Sequence, residues 1–299
     1  MTNSSGTRRA GRMRALIRSS HPGPCLAITA MTVLLAIGAG ALSAAGAPPT
    51  GGAASRSGWV TVALFGFAVL AGQLSIGWSN DAFDAELDAA AGRTDKPLVA
   101  GTVSRRAVAI AGGVALVVSF VVAFAIGPRT GLLMIPVVGA GWAYNAGLKG
   151  TVWSGLMYVL GFGPIPALAT SILPGSPPAR PWSVAAASLL GLGAHFTNVL
   201  PDLATDRVSG IRGLPQRVAA ATGERTVRLI ALLLLLGASA LIAVAPEVAR
   251  RWPVVAGLVA CVGLAIVAVR GTGRTPFFCA LGIAGIDVLM FLLGHAALV

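Results

Sequence analysis

Charge is scarce in this chain. Ten acidic and 22 basic residues among 299 make up only 11% of it. That is too little to cover a water-soluble domain of this size, and with 56% apolar residues and a mean hydropathy of +0.82 the composition excludes that class. What remains is an integral membrane protein. Regular apolar/polar alternation is missing too, which favours a helical bundle over a membrane β-barrel. Cysteine is nearly absent: Cys25, Cys261 and Cys279 lack any paired spacing, which argues against a disulfide framework or a thiolate metal centre. Lysine occurs only at 96 and 149. The net charge of +12 does not point to nucleic acid, because no soluble domain presents it; the basic residues flank apolar runs, where they set topology and attract anionic lipid.

Apolar runs long enough to cross a bilayer, about 17–25 residues, lie near residues 24–46, 58–79, 105–126, 130–147, 153–173, 182–200, 226–245, 252–269 and 276–297. They predict an all-α membrane protein with nine transmembrane helices. With the N-terminus in the cytoplasm, seventeen of the 22 basic residues fall on the cytoplasmic side, leaving Arg56, Arg129, Arg180, Arg250 and Arg251 opposite. Residues 1–22 then form a basic cytoplasmic tail and 23–299 the transmembrane domain. The opening MTNSSGTRRAGRMRALIR is similar to a secretory leader's basic region, but the run after it is too long for a cleaved segment, so it is expected to be retained as the first helix.

Where the few acids stand is informative. Eight of the ten fall in two segments on the predicted cytoplasmic face, after the second and sixth helices; Glu247 and Asp287 are the exceptions. In NDAFDAELD (80–88), placed on a helix, Asn80, Asp84, Asp88 and Asp81 fall at about 0°, 40°, 80° and 100°, with Glu86 pointing away near 240°. Like charges one turn apart near a helix C-terminus repel each other and oppose the macrodipole, so cations should hold them. In NVLPDLATDRVSGIRGLPQRV, Asp202 and Asp206 are again one turn apart, and Asn198 precedes Asp202 by four. Pro201 is expected to kink or end its helix. Each segment then reaches a glycine four residues after its last acid, Gly92 or Gly210, followed by cations and a proline. Because four helices separate the segments, both are expected on the same face of the membrane, and the echo between them suggests an internal duplication of a four-helix unit.

Two carboxylate sets flanked by Arg93, Lys96 and Arg207 or Arg217 suit Mg²⁺ shared with a substrate's phosphates. A diphosphate cannot approach such acids without metal between, while the basic side chains neutralise its remaining oxygens. At the edge of a bilayer, a charged head on an apolar tail fits, and prenyl diphosphates have that form.

At these residues the sequence resembles the UbiA superfamily of intramembrane prenyltransferases. NDxxDxxxD is complete as Asn80, Asp81, Asp84 and Asp88; RTDKPLVAG (93–101) is similar to the stretch that follows it, with Lys96 where many members carry arginine; DxxxD reads as Asp202 and Asp206. The resemblance implies a helical bundle around a central cavity, with Asn80, Asp81, Asp84, Asp88, Asp202 and Asp206 as the Mg²⁺ site. Asp81 is alternatively a residue that fixes local structure. It also implies roles for Tyr144 and Lys149 of YNAGLK in catalysis, and for Arg93, Lys96, Arg207 and Arg217 on the diphosphate. The implied partners are a prenyl diphosphate, a hydrophobic acceptor and membrane lipid, and the implied location is the cell membrane. NVLPD departs from the pattern, with Leu200 and Pro201 where many relatives carry a further polar residue.

His195 and Asn198 are expected on the cavity wall, with a packing hydrogen bond as the alternative for His195. Asp287, deep in the last helix, has no visible partner. Glu86, Asp95 and Glu224 read as surface charges; Trp78, Trp142, Trp153, Trp182 and Tyr158 as interface anchors or shields for a carbocation. Transfer of a polyprenyl group to an aromatic or quinone-precursor acceptor is the leading reading. A terpene cyclase on the same site is the alternative, and a transporter is disfavoured because the acids cluster on one face. The DxxDGxxAR pattern of CDP-alcohol phosphotransferases does not occur.

Overall fold

The structure, a computed structural model, describes residues 4–42, 58–208, 210–246, 248, 250–294 and 297–299. Arg56, Glu247 and parts of the first and last expected crossings (43–46 and 295–296) lie outside these residues. Among them the chain is helical, without strands: α1 (Ser4–Arg18), α2 (Pro22–Gly38), α3 (Gly58–Ala90), α4 (Arg105–Ile126), α5 (Pro128–Asn145), α6 (Ser154–Phe162), α7 (Ile165–Thr170), α8 (Pro181–Val199), α9 (Leu203–Val208), α10 (Leu214–Thr222), α11 (Glu224–Val244), α12 (Arg251–Arg270) and α13 (Thr275–Gly294).

Helices stand at all nine apolar runs. Six spans, α3, α4, Pro181–Arg207, α11, α12 and α13, are long and apolar enough to cross a membrane alone, and the bent pair α1–α2 brings the count to seven where it is taken as one span. α5 falls short because Arg129, Pro136 and the polar end Tyr144–Asn145 dilute its apolarity, and the run of α6 and α7 is broken at Gly163 and Pro164. The chain is a multi-pass membrane protein. α4 turns Ile110, Val114, Val117, Val121 and Phe124 outward in one stripe, and α12 does the same with Trp252, Val255, Val259, Val262 and Ile266. Spacings of three and four put each set on one face, a surface stable against lipid and not against water.

Adjacent helices pack in chain order from α2 to α6, then through α8, α11, α12 and α13, and α13 closes the ring on α2. Two cores fill it, one built on α2 to α7 around Phe65, Met134 and Leu168, the other on α8 and α11 to α13 around Leu235, Ile283 and Met290.

Three local features position the polar end of the ring. α3 has 33 residues, about 50 Å of helix against a hydrocarbon layer about 30 Å thick, so its last turns, with the acids, project beyond that layer. Between α1 and α2 the axis bends by 58°. His21 sits there in the left-handed region (φ 53), ahead of Pro22, which disfavours helix in the residue before it. The bend rests on α3 at Gly77, where an added Cβ would lie 1.9 Å from the Ser20 carbonyl oxygen, so only glycine permits the contact. Pro201 does not end its helix. α8 tightens into a single 3-10 turn at Leu200–Asp202 and continues as α9, so that Pro181–Arg207 remains one span.

Candidate active site at the polar end of the bundle

α3 stops where the sequence places its glycine. Gly92 is left-handed (φ 67), the Arg93 N–H donates to the Asp88 carbonyl at 3.0 Å, and the Gly92 N–H donates to Ala89 at 3.1 Å. The second acidic segment repeats the device. Gly210 is left-handed (φ 73) and the Ile211 N–H donates to the Asp206 carbonyl at 2.9 Å.

The reversal after Gly92 carries Lys96 back onto α3. Its Nζ donates to Asp81 Oδ1 at 2.7 Å and lies 3.2 Å from Asp88 Oδ2. Asp81 is only 2% exposed, and its Oδ1 also meets His21 Nε2 at 2.8 Å, so one carboxylate ties the α1–α2 bend, α3 and the return loop together. Burial opposes the charge on Lys96, but the Asp81 bond and the charges of Asp81 and Asp88 outweigh it and raise its pKa above 10.5. Arg93 bonds Asp95 at 3.2 and 3.4 Å. That bond raises the arginine's pKa and lowers that of the exposed aspartate, while the charges of Asp88 and Asp202 also act on Arg93.

Asp84 is held from the other side. Lys149, in the 3-10 turn Leu148–Gly150 after α5, forms a close ion pair with Asp84 Oδ1, and Asn80 Nδ2 donates to Asp84 Oδ2 at 3.0 Å. Asn145 supports both. Its Nδ2 donates to the Ile76 carbonyl at 2.9 Å and Ser79 Oγ at 2.8 Å, and its Oδ1 accepts from Asn80 at 3.3 Å. Because an ionised carboxylate only accepts, Asn80 must turn its NH₂ to Asp84, which leaves its carbonyl oxygen as an acceptor for a cation.

Asp202, exposed, and Asp206, half-buried, approach from the opposite wall. Asp206 Oδ2 accepts from Gln216 Nε2 of α10 at 2.7 Å, and the carboxylate interacts electrostatically with Asp202, Lys149 and Asp84. Tyr144 is within range of Asp206 and Asp84, with its ring edge-on to Tyr158 at 5.4 Å. The structure thus brings the two acidic segments together with Tyr144, Lys149, Arg93 and Lys96. Arg207 is exposed, and Arg217 Nε is occupied by the Arg212 carbonyl at 2.8 Å.

His195 does not face an opening. It is fully buried, stacked on Tyr158 at 4.4 Å and paired through Nε2 with Ser154 Oγ at 3.0 Å, which also accepts the Leu214 N–H, so it braces the aromatic wall from behind. Asn198 is exposed and donates to the Tyr158 hydroxyl at 3.4 Å. Glu86 pairs with Arg105 and Glu224 with Arg228, at the surface. Asp287 does have a partner, Ser239 Oγ at 2.7 Å. His21, Asn145, Ser154 and Gln216 went unnoticed in the sequence. Asn145, adjacent to Tyr144 in YNAGLK, was within reach of motif reading, whereas His21 arrives only through the α1–α2 bend.

Among the described residues no three His, Cys, Asp or Glu side chains converge into a ready metal cage. The donors are nonetheless hard oxygens with cations among them. They suit an ion that keeps part of its shell for phosphate and water, as Mg²⁺ does.

Fold and side chains define a membrane-embedded helical bundle with acids of two segments and basic side chains gathered at one end. The model of the UbiA prenyltransferase family matches residues 32–280, and the chain belongs to that family. Among solved structures it is similar to a digeranylgeranylglyceryl phosphate synthase (15% identity, 95% of this chain and 98% of that one, TM-score 0.66). It is also similar to a UbiA homologue from Aeropyrum pernix K1 (19%, 88% and 97%, 0.66) and to one from Archaeoglobus fulgidus bound to GPP and Mg²⁺ (16%, 94% and 98%, 0.63). At these identities the likeness is one of fold. No curated protein matches the chain.

Proposed function

We propose that this protein is a Mg²⁺-dependent prenyltransferase of the cell membrane that moves a polyprenyl group from a prenyl diphosphate to an aromatic or quinone-precursor acceptor. The reading includes nine crossings with the N-terminus in the cytoplasm. The observation that carries it is the ion pair of Lys149 with Asp84, with the charges of Lys149 and Asp84 acting on Asp206 and those of Asp88 and Asp202 acting on Arg93. The family membership and the prenyl diphosphate and Mg²⁺ of the Archaeoglobus homologue support it.

Asn80, Asp84, Asp88, Asp202 and Asp206 would hold the metal, which when bound lets acids and diphosphate share a site and draws charge from the leaving group. Lys149, Arg93 and Lys96 bind the remaining phosphate oxygens, and the positive charge they place there stabilises the diphosphate as the C–O bond breaks. Since Lys149 is paired with Asp84, and Lys96 with Asp88 as well as Asp81, substrate entry trades the Lys149–Asp84 and Lys96–Asp88 contacts for phosphate. Asp81 stays committed to His21 and Lys96 as the residue that fixes the local structure. Tyr144, on the aromatic wall beside Asp84, positions the reacting carbon and excludes water.

The test is release of diphosphate from geranyl, farnesyl, geranylgeranyl and longer prenyl diphosphates by purified protein, with cell lipids as acceptors. Release should need Mg²⁺ and fall by about 100-fold or more in Asp84→Ala. A labelled product formed without any acceptor would indicate a cyclase, and Mg²⁺-independent release would reject the proposal.

A further inference from the structure

α1 joins the bundle where the hydrocarbon layer ends. Its Leu16 carbonyl accepts the Trp78 indole N–H at 2.8 Å, and the Ser20 carbonyl rests on Gly77. Trp78 lies twenty residues along α3 from Gly58, about 30 Å of helix and so about one hydrocarbon thickness. From there the 58° bend keeps α1 low: over Arg9–Arg18 it rises only about 8 Å along the direction of α2. Ala15, Ser19 and Ser20 are buried, whereas residues 9 to 14 are exposed throughout.

α1 is also two-faced. Placed at about 100° per residue, Met13, Ile17 and Ala10 fall within about 60° of one another, and Arg9 and Arg14 stand about 40° beyond either edge of that strip. Met13 is 56% and Ile17 50% exposed. No acid precedes Asp81 in the chain, and Arg9, Arg12 and Arg14 make no ion pair among the described residues. A helix of 15 residues with a bare apolar strip and unpaired like charges is marginal in water. At the edge of a bilayer the same pattern is stable, because the strip enters the acyl boundary while the arginine stems lie along it and carry their charges to phosphate.

We infer that α1 is an interfacial helix that docks on an anionic phospholipid leaflet, with Met13 and Ile17 in the acyl boundary and Arg9 and Arg14 on the lipid phosphates. Anionic lipid is the occupant the observations favour. An acidic protein or a nucleic acid would pair with the arginines and leave Met13 and Ile17 in water, and α1 meets the bundle at the membrane surface rather than above it. Nothing in this docking draws on the acids of α3 or α9, so it goes beyond the prenyltransferase reading and is tested without it.

The experiment uses the full-length protein in nanodiscs, with an environment-sensitive dye on Met13→Cys or, on the other side of the helix, on Gly11→Cys, where an added Cβ meets no neighbour within 4 Å. The native thiols Cys25, Cys261 and Cys279 are buried and stay unlabelled. Discs of phosphatidylcholine alone are compared with discs of equal parts phosphatidylcholine and phosphatidylglycerol, both carrying nitroxide-labelled lipid as the quencher. In the anionic discs the dye at position 13 should be quenched and the dye at position 11 should not. The ratio of shielded to exposed dye at position 13, read from its fluorescence lifetimes, should be about tenfold or more above its value in phosphatidylcholine. Arg9→Gln combined with Arg14→Gln should remove most of that rise, and so should high salt. Equal quenching at positions 11 and 13, or quenching at position 13 that is the same in both lipids, overturns the proposal. So does a dye at position 13 that stays exposed in anionic discs and is shielded only when an acidic protein or RNA is added. Absence of diphosphate release while the helix still docks would remove the transferase reading alone; the reverse result would remove only the docked helix.

Discussion

A single buried carboxylate, Asp81, organises the entrance to the site, and its effect is read through Lys96. The lysine's pKa is raised in the folded protein, so the stability it contributes is fully present below the unfolded value near 10.5 and is lost only as pH climbs through the higher folded value. The difference in melting temperature between the wild type and Lys96→Met should therefore hold steady from about pH 6 to 9 and shrink above about pH 10.5. A difference that vanishes near neutrality would mean that the Lys96–Asp81 bond does not form in solution. At this scale the motif residues were legible, since acids in so apolar a chain have few reasons to cluster. Their division of labour was not. Asp81 and Asp84 stand on nearly the same face of α3, yet one is sealed against His21 and Lys96 and the other faces Lys149 and the second acidic segment. That difference comes from α1, α5 and the return loop.

Elements carry the repetition. α3 and the α8–α9 helix both end past acids, on a left-handed glycine and a main-chain bond back to the last acid's carbonyl, and the first then sends Arg93 and Lys96 toward the site. A glycine four residues past an acid announces the stop, because a residue with a Cβ resists φ above zero by roughly 1–2 kcal/mol. Gly92→Ala and Gly210→Ala should each lower stability by about 1 kcal/mol, seen as a drop of a few degrees in melting temperature. Gly92→Ala should also raise KM for the proposed prenyl diphosphate more than it lowers kcat, since the loop that places Arg93 and Lys96 is displaced while the acids stay on their helices. An effect on kcat alone would contradict that role. The α1–α2 bend shows what element reading left out. An N-terminal basic stretch reads as a tail; the structure folds residues 4–18 into a helix whose Leu16 carbonyl accepts the Trp78 indole N–H at 2.8 Å and whose Arg18 reaches the Asp95 carbonyl at 3.4 Å.

Over the whole molecule, the ring of helices sets both topology and site. The proposed orientation puts Arg212 and Arg274 in the cytoplasm and Arg250 outside. Cysteines introduced at these exposed positions, against a background of buried native thiols, should divide accordingly. A membrane-impermeant maleimide should label position 250 in intact cells and positions 212 and 274 only after lysis; labelling of all three in intact cells would contradict the nine-crossing arrangement. The sequence by itself determined the solvent of this protein, the places where its apolar helices stand and the clustering of its acids, because hydropathy, helical period and glycine stops act over one or two turns. Closure of the ring, the meeting of Asp84 and Asp206 at Lys149, the burial of His195 behind Tyr158 and the pairing of Asp287 with Ser239 were decided only by tertiary structure. Those contacts join residues from 37 (Tyr158 and His195) to more than 200 (α2 and α13) positions apart in the chain, and no local pattern records which helix face will meet which.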